Sequence, residues 1–365
     1  MVKQASTPKK VIVAMSGGVD SSVAAALLQE QGHEVVGITM NLYSLPKEVC
    51  RSESLKSCCG WQAQEDANRV AIALGISHYV VDFRSEFERT VVEDFSREYG
   101  RGRTPNPCIR CNQFIKFDLL LERARNLEAD HVATGHYAQI EFDPATGRYL
   151  LKKGKDKDKD QSYFLYTLTQ AQLAKTLFPL AGLTKKDVRK IADRLALPVA
   201  QKEESQEICF VPDRNYAKFL RQRIPQAFRP GPVLDLQSRV IGRHEGIIHF
   251  TVGQRKGMGI AAPHPLYVLS IDAETNTIVV GKNEDLYRSC LEASDVNLIG
   301  FEKLTEPKAV QAKIRYKHTE ANATISPMDS GRIRVEFEKP QRAITPGQAV
   351  VFYEGETVGG GGIID

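Results

Sequence analysis

Two patterns in this chain could do chemistry: a glycine-serine-aspartate loop and a set of spaced cysteines. The heptad SGGVDSS runs through Ser16, Gly17, Gly18, Val19, Asp20, Ser21 and Ser22, behind an apolar run that ends in Ala14 and Met15. Two glycines let the backbone turn tightly and approach an anion. A helix N-terminus beyond them aims free N–H groups and a positive dipole end at it. Ser21 and Ser22 add hydroxyl donors, and Asp20 at the cap can steer Mg²⁺ or satisfy an N–H. No Gly-Lys-Ser/Thr follows, so this is not the Walker loop of γ-phosphate transfer. A Gly-Gly turn capped by Asp could be merely structural. The whole heptad behind a buried strand reads as a phosphate cradle.

The cysteines are Cys50, Cys58, Cys59, Cys108, Cys111, Cys209 and Cys290. An odd number spread along a long chain favours thiol chemistry or a metal over a disulfide framework. Cys50 and Cys290 read as small buried hydrophobes, and the adjacent Cys58 and Cys59 as incidental. The segment Thr104, Pro105, Asn106, Pro107 reads as a rigid extended loop, because proline disfavours helix for the residue before it. Cys111 and Asn112 then open a helix carrying Phe117, Leu119 and Leu120. A cysteine there, near Arg103, Arg110 and Lys116, has its thiolate favoured by dipole and charge. Cys209 stands far along the chain in the loop KEESQEICF, residues 202–210.

The elements that must position these residues read in three parts. Strands are expected at 11–15, 34–40, 78–81 and 131–134, alternating with helices at 21–31, 62–74, 87–99 and 114–127. That alternation predicts an α/β fold, a doubly wound parallel sheet with ligands at the carboxyl ends of its strands. Further helical stretches are expected at 170–177 and 185–195. The charged stretch 152–160 reads as a solvated hairpin tip at its core, 154–157. Beyond about residue 212 the pattern changes to short β runs punctuated by Pro and Gly, including 231–235 and 247–252. From about 269 strict alternation predicts a small β-barrel. The expected domains are 1–212, nucleotide-binding; 213–280, a small central α+β domain; and 281–365, a barrel.

The chain has 365 residues, 42% hydrophobic and 26% charged, with a net charge of +4. Such a balance excludes a histone-like polyanion binder and an acidic disordered protein, while leaving room for local basic contacts. Apolar stretches fall short of the roughly 18 residues of a membrane span. The N-terminus has charge but no following apolar region, so a cytoplasmic protein without a secretory leader is expected.

SGGVDSS resembles the signature of the PP-loop ATP pyrophosphatases, which cleave ATP between the α- and β-phosphates. Within that superfamily, TPNPxxxCN at 104–112 followed by SQEICF at 205–210 resembles the tRNA-specific 2-thiouridylases. Supporting matches are ATGHYA at 133–138, KDQSYF at 159–164, GQRKG at 253–257 and IRY at 314–316, so the resemblance spans essentially the whole chain. It implies ATP-dependent formation of 2-thiouridine at wobble position 34 of tRNA for Lys, Glu and Gln. AMP transfer onto the uracil C2 oxygen makes a leaving group, and pyrophosphate is released into the cradle. Cys209 would carry sulfur as a persulfide from a cysteine desulfurase or relay protein, and Cys111 would free it, leaving a Cys111–Cys209 disulfide. The two loops should therefore converge.

By the same resemblance, residues 14–21, Met40 and Gly135 bind ATP with Mg²⁺. Asn106, Pro107, Cys108, His136, Lys159, Asp160, Gln161, Arg315, Tyr316 and Gln348 face the tRNA anticodon arm, the Arg315–Tyr316 pair lying on a basic β strand. Without the resemblance Met40 would read as core and that strand as a solvated face. One departure stands out. Well-known members carry Asp three residues before the nucleophilic cysteine, where this chain has Cys108. Cys108, Cys111 and Cys209 are then three thiols that could hold an iron–sulfur cluster or metal; Cys108 reads equally as a redox or spare thiol, or as inert. Competing readings are another PP-loop thiolase or amidating ligase, and a tRNA-binding protein with a vestigial nucleotide site.

Overall fold

The computed structural model describes residues 8–44, 60–203, 208–211, 213 and 215–365. Cys50, Cys58 and Cys59 lie outside them. The chain divides into two compact units. The first comprises Met1–Val91, Cys108–Arg214 and Glu356–Val358; the second comprises Val92–Pro107, Asn215–Gly355 and Gly359–Asp365.

The first unit is built on a five-stranded parallel sheet. Its strands are β1 (Lys10–Ala14), β2 (Glu34–Asn41), β3 (Ser77–Asp82), β4 (His131–Ala133) and, after a hairpin, β7 (Thr176–Leu177). The spatial order is β3-β2-β1-β4-β7. Helix α1 (Val19–Glu30) follows β1, and α2 (Trp61–Leu74) connects β2 to β3. Val11 and Val13 on β1 and Met15 just beyond it pack with Val23, Ala24 and Leu28 of α1 and Val188 and Ala192 of helix Lys185–Arg194. Continuous apolar runs suit a sheet covered on both faces. The order reverses at β1, and at such a switch point the loops leaving β1 and β4 part to leave a crevice.

Three local expectations change here. The stretch 170–177 is helical only over Gln170–Leu173, where Thr169 and Gln172 form a capping box. Buried Thr176 and half-buried Leu177 instead pair with Val132 and Ala133 as the edge strand. The helix expected to open at Cys111 opens at Pro107, whose fixed φ suits a first helical residue. It continues through π-turns over Cys111–Leu119 and an α segment, Leu120–Asn126. The hairpin of β5 (Ala138–Asp143) and β6 (Arg148–Lys153) turns at residues 144–147, so 154–157 is not its tip. Gly154 is buried, and the Lys155 N–H donates to the Ala181 carbonyl at 3.1 Å.

In the second unit, β8 (Gly231–Leu234), β9 (Val240–His244), β10 (Tyr267–Asp272) and β11 (Thr277–Gly281) form a four-stranded sheet in the order β10-β11-β8-β9. The 247–252 stretch is not a strand. Ile247 and Ile248 are both buried on a 3₁₀ turn over Ile247–His249. The barrel strands are β12 (Tyr287–Leu298), β13 (Lys308–Lys313), β14 (Ala321–Pro327), β15 (Ile333–Arg342), β16 (Ala349–Glu354) and β17 (Thr357–Ile364). Their order is β12-β15-β14-β13-β16-β17, and pairs such as Ser294↔Ile363 and Asn297↔Gly361 close the ring. Alternate residues fill it, among them Val310, Ala312, Ile325, Val335 and Phe352.

Candidate nucleotide and thiol site

The phosphate loop is held at both ends. Met15 N–H donates to the Ile38 carbonyl at 2.8 Å, and Thr39 Oγ1 donates to the Met15 carbonyl at 2.7 Å, pinning the exit of β1. Gly17 sits at φ +66°, and a Cβ there would run into the Ala63 carbonyl. Side chain and conformation both require glycine. Ser16 N–H donates to Ser21 Oγ at 3.1 Å, while Ser21 Oγ and Ser22 Oγ donate to the Gly18 carbonyl at 3.2 and 2.8 Å. These hydroxyls shape the loop rather than project from it. Val19, Ser21 and Ser22 in the first turn of α1 are buried behind it.

Gly135, just beyond β4, lies against that same turn; a Cβ there would stand 2.7 Å from Asp20 C and Ser21 N. At the foot of that crevice the loop leaving β4 therefore packs against the first turn of α1. Met40 is half-buried at the carboxyl end of β2, neither core nor surface.

Two lysines that sequence reasoning missed sit at this loop. Lys185 Nζ lies 2.7 and 2.8 Å from the Asp20 oxygens, and Tyr137 donates its hydroxyl to Asp20 at 2.7 Å. Asp20 thus anchors Lys185 beside the loop. Lys202 Nζ donates to the Gly17 carbonyl at 2.9 Å and to Asp66 Oδ2 at 2.6 Å, and Arg69 binds the other Asp66 oxygen. Burial pushes the Asp66 carboxyl up, but hydrogen bonds from Lys202 and Arg69 outweigh it and hold the group below its ordinary range. The cradle therefore draws its positive charge from a distance in sequence. The one available signal was that Lys202 begins the KEESQEICF stretch.

Cys108 is exposed, Cys111 buried and Cys209 half-buried, and all three are thiols. Cys108, not Cys111, occupies the first turn of the helix, where the dipole acts most strongly. Cys290, expected to be buried, is exposed instead, at a position facing out of β12. Among the described residues no three of His, Cys, Asp and Glu come together as a metal-binding group. The three-thiol cluster does not fit this arrangement. Asn112, beside Cys111, is buried; its Nδ2 donates to the Phe164 carbonyl at 3.1 Å, while its Oδ1 has no hydrogen-bond partner.

Around the thiol helix, His136 is buried between the rings of Phe117 and Phe178, its Nδ1 hydrogen-bonded to Thr134 Oγ1 at 2.7 Å. Burial first, and Lys116 second, hold its pKa well below the ordinary value, so it is neutral. Asp160 is buried and accepts from Gly154 N–H at 3.0 Å and from Ser162 Oγ at 2.9 Å. Gln161 exchanges hydrogen bonds with the Tyr137 backbone at 3.0 and 2.9 Å. Lys159 is half-buried on the same turn.

Within the second unit, Gln348 Nε2 donates to the Thr104 carbonyl at 2.7 Å, and Thr104 N–H donates to the Pro346 carbonyl at 2.9 Å. Gln348 thus braces the stretch leading into Asn106 and Pro107. Arg315 and Tyr316 stand in the turn after β13 rather than on a strand, because Arg315 turns inward to donate to the Arg342 and Ala343 carbonyls at 2.6 and 2.9 Å.

A glycine-serine loop at the switch point of a parallel sheet, with no Walker lysine of its own, defines the PP-loop class of nucleotide-binding α/β domain. Comparison with known proteins agrees. The family described as tRNA methyl transferase HUP domain matches residues 9–213. A PRC-barrel domain of the same family matches 217–282, and an aminomethyltransferase beta-barrel domain matches 288–364. The tRNA-specific 2-thiouridylase MnmA of Symbiobacterium thermophilum is 52% identical over 360 residues, covering 98% of this chain and 92% of its own. The protein of that name from Heliobacterium modesticaldum is 54% identical over 356 residues, covering 97% and 92%. This chain belongs to the tRNA-specific 2-thiouridylase family. A solved U34-tRNA thiolase, NcsA from Methanococcus maripaludis with its [4Fe-4S] cluster, is 18% identical with a TM-score of 0.35, covering 60% of this chain and 66% of its own. A likeness that slight carries no cluster to this protein.

Proposed function

We propose that this protein is a tRNA-uridine 2-sulfurtransferase that makes 2-thiouridine at wobble position 34 of tRNA for Lys, Glu and Gln. The observation that carries the reading is the presence in one compact unit of the phosphate loop, Cys111 and Cys209. Lys202 supports it further, since the residue that opens the Cys209 stretch bonds the carbonyl of Gly17.

Oxide is too poor a leaving group to depart from uracil C2. Residues 14–21 with Gly135 and Met40 bind ATP, Mg²⁺ arriving with its phosphates, and AMP passes to the C2 oxygen. Pyrophosphate stays in the cradle, offset by Lys185 and Lys202. The Cys209 persulfide supplies sulfur, and the Cys111 thiolate attacks its inner sulfur to release it. A Cys111–Cys209 disulfide remains and AMP departs. Asn106, Pro107, Cys108, His136 and residues 159–161 contact the tRNA; neutral His136 offers a hydrogen bond without a charge. Arg315, Tyr316 and Gln348, in the barrel of residues 281–365, serve the anticodon arm, while residues 1–212 carry the chemistry and 213–280 form a small central domain. No described helix is long and apolar enough to cross a membrane. A cytoplasmic enzyme fed by a cysteine desulfurase or sulfur-relay protein fits this chemistry.

The test is mass spectrometry of wobble nucleosides in those tRNAs. Cys111→Ala and Cys209→Ala should each abolish 2-thiouridine while ATP binding persists. Full activity in either variant would overturn the persulfide relay, and unchanged 2-thiouridine after deletion of the protein would overturn the function.

A further inference from the structure

Cys108 and Cys111 are one helical turn apart, in the sequence Pro-Cys-x-x-Cys. The first thiol is exposed in the opening turn of the helix and the second is buried beneath it. Residues three apart on a helix face one another, with Cβ atoms about 5–6 Å apart. A disulfide needs about 3.5–4.5 Å. Closing that gap takes a small adjustment of the opening turn, whose first residue, Pro107, has no N–H to give up. An exposed thiol at a helix start has its thiolate favoured, and one buried behind it is shielded from solvent reagents. That division of exposure suits a pair in which the outer thiol attacks and the inner one receives.

We propose that Cys108 is the resolving thiol, which resets the enzyme after each sulfur transfer. The inference rests on the persulfide chemistry proposed above, which ends with Cys111 buried in a disulfide to Cys209. The Cys108 thiolate attacks Cys111 Sγ. The Cys108–Cys111 bond forms, the Cys111–Cys209 bond breaks, and the electron pair leaves on Cys209 as a thiolate. The step is redox-neutral, since one disulfide replaces another. Cys209 is then ready for a new persulfide. The oxidised pair now has its outer sulfur at the surface, where a dithiol reductant attacks Cys108, is itself oxidised to a disulfide, and returns both thiols. Neighbouring thiols on one turn gain effective concentration over any reagent from solution. A side chain without a thiol at this position cannot perform the step.

The experiment is disulfide mapping after one turnover. Full-length protein with persulfidated Cys209 is given ATP and unmodified tRNA without reductant, quenched with acid, alkylated and digested. The expected product is a Cys108–Cys111 disulfide with Cys209 alkylated, in proportion to the 2-thiouridine formed. In Cys108→Ser, whatever 2-thiouridine forms should be matched by Cys111–Cys209. Addition of a dithiol should accelerate wild-type recycling by at least about tenfold more than that of the variant, the thiolate advantage of a helix-start cysteine. Thiouridine formed with Cys108 alkylated and Cys111–Cys209 retained in the wild type would overturn the inference and leave the persulfide relay standing. Thiouridine formed with no protein disulfide at all would overturn both. Absence of thiouridine from the wild type would overturn the proposed function itself.

Discussion

Lys202→Met tests the claim that a remote lysine completes the phosphate cradle. The substitution keeps the length of the side chain and removes two charged hydrogen bonds, one to the Gly17 carbonyl and one to Asp66. The Asp66 side chain is 7% exposed and that of Lys202 28%, so neither sits in bulk solvent. A hydrogen bond to a charged group contributes about 1.5–3 kcal/mol, and exposed pairs well under 1. Arg69 remains on Asp66 and limits the loss, which places the expected destabilisation at about 2 kcal/mol. For nucleotide binding, an ammonium about 5 Å from a phosphate contributes roughly 3 kcal/mol at an effective dielectric near 20. Asp66, already on the ammonium, offsets much of that. The expected loss of ATP affinity is about tenfold, or 1.4 kcal/mol.

Urea unfolding and calorimetric ATP titration of Lys202→Met, Asp66→Asn and the double variant complete the cycle. A depressed Asp66 carboxyl stabilises the fold above its unfolded pKa near 4 and loses that contribution as pH falls. Lys202→Met should therefore be most destabilising near neutrality and approach wild type toward pH 3. Unchanged ATP affinity together with a coupling energy indistinguishable from zero would refute the reasoning.

Two further outcomes follow from the same geometry. Gly135→Ala places a Cβ 2.7 Å from backbone atoms of Asp20 and Ser21, which cannot rotate away. It should cost about 1–3 kcal/mol in urea unfolding and weaken ATP binding, while an alanine at Gly182, where nothing lies within reach of a Cβ, should do neither. His136 is buried neutral, so the unfolded chain takes up a proton below about pH 6.5 that the native state refuses. Stability should fall on acidification by up to about 1.4 kcal/mol per pH unit from this residue alone. In His136→Gln the unfolding free energy should accordingly vary less steeply between pH 6.5 and 5; an unchanged slope would show that His136 is protonated in the fold.

Much of the first unit was legible because its signals are local. A buried apolar run, two glycines and a serine-rich helix start need only a few consecutive residues, and the alternation of such runs with helices implies a parallel sheet. The misreadings occurred where a distant partner decided. Thr176 and Leu177 are a strand because β4 lies open beside them. Arg315 left its strand because carbonyls at 342 and 343 accept from it. Residues 154–157 are tied down by Ala181 and Lys185, which nothing in a run of alternating lysine and aspartate announces.

The sequence by itself determined the class of loop and the family, and singled out Cys111 and Cys209 as the thiols to test, because residue types at fixed spacings carry that information without any fold. Only the tertiary structure decided which thiol holds the helix start, that Asp20 is an anchor, and that Lys185 and Lys202 serve the loop. Those are facts of through-space electrostatics. An ammonium finds its carboxylate at 2.6 Å across more than a hundred residues of chain, and spacing along the sequence carries no trace of it.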